Sequence, residues 1–149
     1  SCNSLIGPNM WRKWDKPFIK EMADLLHKHG KLLHIHFHGK SMETVKDFAE
    51  IGIDCVCPFE RFPGDVIGLE GLIKVREGLQ NKVTMNGNVH TIEALIKGSP
   101  EDVRQQVREI KHAFKGSARL IIGTGDQVGA ETPEENIYAM IDEGRKKDN

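Results

Sequence analysis

The run Leu32-Leu33-His34-Ile35-His36-Phe37-His38-Gly39 constrains this chain more than any other stretch. Apolar residues alternate with histidines, and side chains on a strand alternate between its two faces. Leu33, Ile35 and Phe37 therefore share one face of a short buried strand, and His34, His36 and His38 share the other. Three imidazoles on one face are poor core material. Near pH 7 they are ready metal donors. A polar strand face satisfied by ordinary hydrogen bonds is the plainer account of the same pattern, so the rest of the chain has to decide.

Helical and strand signals alternate on either side of that run. Asp15 is placed to cap a helix from about residue 16 to 29, with Pro17 in its first turn, Phe18, Met22, Leu25 and Leu26 as its apolar stripe, and Gly30 at its end. A second helix is expected over 41–50, stopped by Gly52, and a second strand over 53–57. The third helix falls at 69–79 and the third strand at 82–85, followed by a short helical piece at 91–97. Ser99-Pro100-Glu101-Asp102 is a strong helix start, a capping serine with proline at the first position and acids behind it. That helix reaches about residue 114. The fourth strand covers 119–122, and Thr132-Pro133-Glu134-Glu135 reads as a capping box opening the last helix, to about 146.

Short apolar strands alternating with amphipathic helices predict an α/β fold with a parallel sheet. The four βα units amount to half of a TIM-type (βα)8 barrel, in a single domain over 1–149; a flavodoxin-like open sheet is the alternative, without the cofactor loop it would usually carry. Gly123-Thr124-Gly125 lacks the third glycine of a dinucleotide fingerprint, and the chain has no phosphate-loop motif. With 149 residues there is enough chain for a real core. The net charge of −1, with Lys and Arg dispersed, gives no support for nucleic acid or an anionic membrane as partner. Neither a membrane span nor a secretory leader is expected. Three cysteines, Cys2, Cys55 and Cys57, do not make a disulfide framework, so a reducing cytoplasm is the expected compartment.

In parallel α/β folds the chemistry gathers at the C-terminal ends of the strands. His36 and His38 fall there on the first strand, Glu60 just past the second, Asn86 and Asn88 at the end of the third, and Asp126 just past the fourth. Two histidines with one or two carboxylates make a first shell for zinc, or for iron or manganese. Cys55 and Cys57 share a strand face and read more simply as small buried residues than as thiolate ligands. His27, His29 and His112 lie on predicted helices and read as solvated, and His90 is near the rim. Asn86 and Asn88 flank Gly87 and could serve loop backbone as readily as a substrate.

Three elements in order, His36-Phe37-His38-Gly39, Asn86-Gly87-Asn88-Val89, and Gly125-Asp126 followed by Thr132-Pro133-Glu134-Glu135-Asn136-Ile137, resemble the C-terminal half of the uroporphyrinogen decarboxylase superfamily. The resemblance runs from about residue 5 to 146. That superfamily includes the decarboxylase, the cobalamin-dependent methyltransferases acting on coenzyme M and, more distantly, cobalamin-independent methionine synthase. It implies that this chain is the last four units of a (βα)8 barrel.

Its methyltransferases hold zinc through a His-x-Cys on one strand and a Cys near the last strand, joined in the methionine synthase branch by a Glu. Carried over, His36 matches the histidine, His38 stands at the first cysteine, Glu60 falls at the glutamate's spacing and Asp126 takes the last position. The resemblance therefore implies a harder metal site, His36, His38, Glu60 and Asp126, with both thiolates replaced. Asn86, Asn88 and Thr124 are the expected substrate contacts. The last strand of the decarboxylase branch carries a histidine where this chain has Thr124, and its catalytic Asp and arginines belong to the other half.

The expected function is a metal-dependent, methyltransferase-like activity, moving a methyl group from a corrinoid on a partner protein to a small thiol. The alternatives are tetrapyrrole decarboxylation and a non-catalytic half-barrel that binds a metal or ligand. Two unpaired sheet edges predict dimerisation or pairing with an N-terminal half.

Overall fold

The computed structural model describes residues 3–147; Cys2 lies outside the described residues. A short helix α1 (Asn3–Ile6) precedes the long α2 (Pro8–Lys28). The chain then alternates: β1 (His34–Phe37), α3 (Val45–Ile51), β2 (Cys55–Pro58), α4 (Gly68–Gly78), β3 (Thr84–Val89), a π-helical segment (Thr91–Ile96), α5 (Pro100–Ala113), β4 (Leu120–Thr124) and α6 (Glu134–Arg145). The four strands are parallel in the order β1-β2-β3-β4. This is the α/β arrangement of four βα units that the alternation predicts.

Helix α2 differs from expectation. It begins at Pro8, which takes an early helical position where its missing N–H costs nothing, so Pro17 lies inside the helix and Asp15 is not its cap. Its packed face is also rotated. Trp11, Ile19 and Ala23 are buried, whereas Phe18, Met22 and Leu25 of the expected stripe are exposed, together with Met10 and Trp14. Trp11 decides the rotation. Its indole meets the rings of Phe37 and Phe48 edge-on at 5.7 and 5.8 Å, and these two meet each other at 5.1 Å. Aromatic pairs in this geometry contribute about 0.5–1.5 kcal/mol beyond burial, so one tryptophan with two partners outweighs a looser stripe.

Two other elements are displaced: α3 starts at Val45 and not near 41, and β3 runs on to Val89, so Asn86 and Asn88 lie within the strand and not beyond it. Gly52 closes α3 in a left-handed conformation, φ 80°. Ser99 and Asp102 form a reciprocal capping box at the start of α5. The second capping box does not form. Helix α6 starts after Pro133 with no side-chain cap, and Thr132 Oγ1 is buried without a hydrogen-bond partner. Asn136 ties this corner down instead, donating from Nδ2 to the carbonyls of Leu95 and Gly98, both at 2.9 Å.

The sheet has two unlike faces. Leu33 just before β1, Phe37 on β1, Val56 on β2, and Met85 and Val89 on β3 are buried in the core. The opposite face carries His34 beside Cys55 and His36 beside Cys57, with Thr84 aligned to Cys55 and Asn86 to Ile121. None of these seven is fully buried. Both edge strands, β1 and β4, lack an outer neighbour among the described residues.

Candidate metal centre

The alternation of β1 delivers its histidines as expected. Leu33 and Phe37 face the core, while His34 and His36 are exposed and His38 half-buried. Beyond the end of β4, Gly125 N–H donates to the Val89 carbonyl at 2.7 Å, and Thr124 Oγ1 donates to the Asp126 carbonyl at 2.5 Å. These two bonds turn the chain back over the rim and bring Asp126 to β1. One ligand atom each of His36, His38 and Asp126 lies within 4.8 Å of the others, the grouping a metal ion requires. His36 Nε2 faces His38 Nε2 in direct contact, and His38 Nε2 is 3.8 Å from Asp126 Oδ1.

Glu60 sits on the far side of His38. Its Oε1 is hydrogen-bonded to His38 Nδ1, and its Oε2 accepts the Gly39 N–H at 2.7 Å. His36 Nδ1 is 3.2 Å from Cys57 Sγ. Burial, and after it the neighbouring His38, holds the His36 imidazole below its ordinary value, in the neutral form that can donate to a metal. Burial also raises both thiols, Cys55 to about 11, so neither is a ready thiolate. Both cysteines are half-buried on the open face of the sheet.

The three expected substrate contacts separate. Asn86 lies on the open face with its side chain over Gly123, where an added Cβ would stand 2.3 Å from Asn86 Oδ1. Asn88 is fully buried and donates from Nδ2 to the Phe59 carbonyl at 2.7 Å, so it braces the rim and is closed to a substrate. The Thr124 hydroxyl is spent on the Asp126 loop. Service to loop backbone is the other role the sequence leaves open for the two asparagines, and Asn88 takes it.

Two features of the rim were not expected. His90 caps the π-helical segment, its Nδ1 accepting the N–H groups of Ile92 and Glu93 at 3.2 and 3.3 Å. A cavity of about 230 Å³ opens beside the histidine–aspartate group, with Arg61, Phe62, His90, Ile92 and Asp126 in its wall. Histidine is not among the residues preferred at a helix start, so the cap had no local signal; the cavity depends on how three loops meet and had none either. Of the helical histidines expected in solvent, His27 is bonded to Asp54 at 2.8 Å. Among the described residues no helix is long and apolar enough to cross a membrane.

Comparison with known proteins gives a consistent picture. The sequence profile of the uroporphyrinogen decarboxylase (URO-D) family matches residues 1–147. Uroporphyrinogen decarboxylase 1, chloroplastic, of Oryza sativa subsp. japonica is 28% identical over 149 residues, 95% of this chain and 33% of the relative. Methylcobamide:CoM methyltransferase MtbA of Methanosarcina mazei is 22% identical over 138 residues, 93% of this chain and 37% of the relative. Among solved structures, a methyltransferase from Methanosarcina mazei superposes with a TM-score of 0.78 at 19% identity, over 96% of this chain and 38% of its own. The chain thus spans about a third of the length of the curated relatives it matches.

Proposed function

Since the chain belongs to the uroporphyrinogen decarboxylase family, we propose that it is the metal-holding, C-terminal part of a methyltransferase-like member of that family. The observation that carries this reading is the convergence of His36 and His38 from one edge of the sheet with Asp126 from the other. The donor set fits a divalent ion, zinc before iron or manganese, because two neutral imidazoles and one carboxylate leave coordination positions open for a substrate. An ion held there by His36, His38 and Asp126 would supply Lewis acidity, which favours the thiolate form of a thiol acceptor.

The protein's own groups do the rest. His36 and His38 offer ring nitrogens. Asp126 brings the negative charge that offsets the cation, and Thr124 fixes the loop that carries it. Asn86, on the open sheet face, is the remaining polar group positioned to touch a substrate. The methyl donor in this reading is a methylated corrinoid on a partner protein, and the acceptor is a small thiol entering by the 230 Å³ cavity. The exposed α2 stripe and the two open sheet edges support pairing with an N-terminal half or with a second copy. The proposed compartment is the cytoplasm.

Metal content tests the reading. About one zinc, iron or manganese per chain is expected by elemental analysis, lost in His36→Ala and Asp126→Ala. Stoichiometric metal in either variant would sink the assignment.

A second reading, tetrapyrrole decarboxylation, draws support from the similarity to the rice protein. Many substrate carboxylates need cationic partners. At the strand ends this chain offers Lys40 and Arg61, and Arg61 is already bonded to Glu109 at 2.9 Å and to the Asn88 carbonyl at 3.1 Å. Porphyrinogen turnover that survives a chelator would favour this reading. The short span relative to the relatives supports a third, a half-barrel subunit that binds without turnover alone.

A further inference from the structure

We propose that Glu60 is a positioning residue and not a ligand: it fixes the tautomer of His38 and leaves a site of three donors, His36, His38 and Asp126, open toward the neighbouring cavity. The inference rests on the metal reading above and refines it.

Both oxygens of Glu60 are committed to the end of β1, one to His38 Nδ1 and one to the Gly39 N–H. The carboxylate is an acceptor, so the proton between it and His38 sits on Nδ1. A neutral imidazole has one N–H, and Nε2 is left with its lone pair aimed at His36 and Asp126. The histidine that supplies the donor atom is thus set by a carboxylate behind it. In metal sites this arrangement orients the ring and raises its basicity, and losing the outer partner typically weakens metal binding about 10–100-fold.

The backbone holds Glu60 in that place. Val66 N–H donates to the Glu60 carbonyl at 3.1 Å, and the loop returns so tightly that a Cβ on Gly64 would stand 2.4 Å from that oxygen. The Glu60 side chain is 17% exposed, so its bond to His38 is shielded. His36 is held differently. Its Nδ1 meets the Cys57 thiol, a weak hydrogen-bonding group. The two imidazoles present the same atom to the site with unequal outer support, and the stronger lever is on His38. Because Asp126 and Glu60 both border the cavity, the open positions of a three-donor site face the space a substrate would occupy.

The experiment is a Co²⁺ titration of the parent, Glu60→Ala, Glu60→Gln and His38→Ala proteins, followed by visible absorption. It is paired with long-range ¹H–¹⁵N correlation of the histidine rings in metal-free protein. We expect Glu60→Ala to bind one Co²⁺ about 10–100-fold more weakly with an unchanged d–d spectrum, and Glu60→Gln, which keeps an acceptor, to fall between. In metal-free parent His38 should carry its proton on Nδ1, and that preference should be lost in Glu60→Ala. A changed cobalt spectrum in both Glu60 variants would make Glu60 a ligand and overturn the proposal. Unchanged affinity, or an unchanged His38 tautomer, would overturn it too. If the parent binds no Co²⁺ while the tautomer shift is seen, the metal reading fails and the positioning of His38 by Glu60 stands alone.

Discussion

Asp47 joins α2 to α3, and its removal tests the account of how α2 is held. Its side chain is 8% exposed, and it accepts from Arg12 Nε at 3.0 Å and from Lys16 Nζ at 2.5 Å. Burial pushes the carboxyl up, but the bonds from Arg12 and Lys16 outweigh it and hold the group below its ordinary 3.8. Consider Asp47→Asn. Arg12 is 40% and Lys16 23% exposed, so both cations can rehydrate once the carboxylate is gone. The cost of stranding a fully buried charge, about 3–5 kcal/mol, therefore does not apply. What is lost is the charged character of two hydrogen bonds, a loss of about 1.5–3 kcal/mol. In a chain of this size each kcal/mol moves the melting temperature by about 2–4 °C.

The assay is urea unfolding of parent and variant across the acid range. A carboxyl depressed in the native state contributes stability that is present above its unfolded value and lost as pH falls through its native one. The gap between the two proteins should be full at neutral pH, begin to close below about pH 4 and disappear at lower pH. A variant as stable as the parent at pH 7, or a gap that does not close on acidification, would refute the reasoning.

Other parts of the fold make equally definite claims. Trp11→Ala should cost about 3–5 kcal/mol in chemical denaturation, whereas Trp14→Ala, at a position 53% exposed, should change stability little. Gly87→Ala would set a Cβ 2.2 Å from the Pro58 carbonyl, and a loss of about 3 kcal/mol in the free energy of urea unfolding is expected. Ser99→Ala removes the reciprocal cap of α5, at a cost of about 1 kcal/mol, and should speed amide exchange in the first turn of that helix. If the α2 stripe is a pairing surface, Phe18→Glu with Met22→Glu should lower the weight-average mass in sedimentation; a parent that stays monomeric at every concentration would count against it.

Local signals were legible in the sequence and packing decisions were not. The histidine alternation on β1, Gly52 after α3 and the Ser99 capping box depend on neighbours a few residues apart, and each appears where its pattern puts it. The nearness of Asp126 to the β1 histidines was legible because parallel strand ends share a rim. The face of α2 was missed because its stripe competes with Trp11, whose partners Phe37 and Phe48 come from other elements. The failed cap at Thr132 has a similar cause: Asn136 anchors the corner through carbonyls some forty residues away in sequence, at Leu95 and Gly98. Asn88 reads as a substrate contact by position, and only the approach of the Phe59 carbonyl shows that its amide is already used.

The proposed donors belong to strands that never touch. His36 and His38 lie on and just after β1, Asp126 follows β4, and two other strands stand between. They meet because the turn after β4 carries Asp126 back over the rim, so a cation shared among them would act as a tie between the two edge strands and resist their separation. A chain whose strands had paired incompletely would present only fragments of that donor set. Ion uptake would therefore report that all four strands are assembled, and the assembled state would gain about 2.7 kcal/mol when free ion stands at a hundred times its dissociation constant. On this view the ion would serve architecture as well as chemistry: it would fix the spacing of the two edge strands that a closing set of strands would have to match.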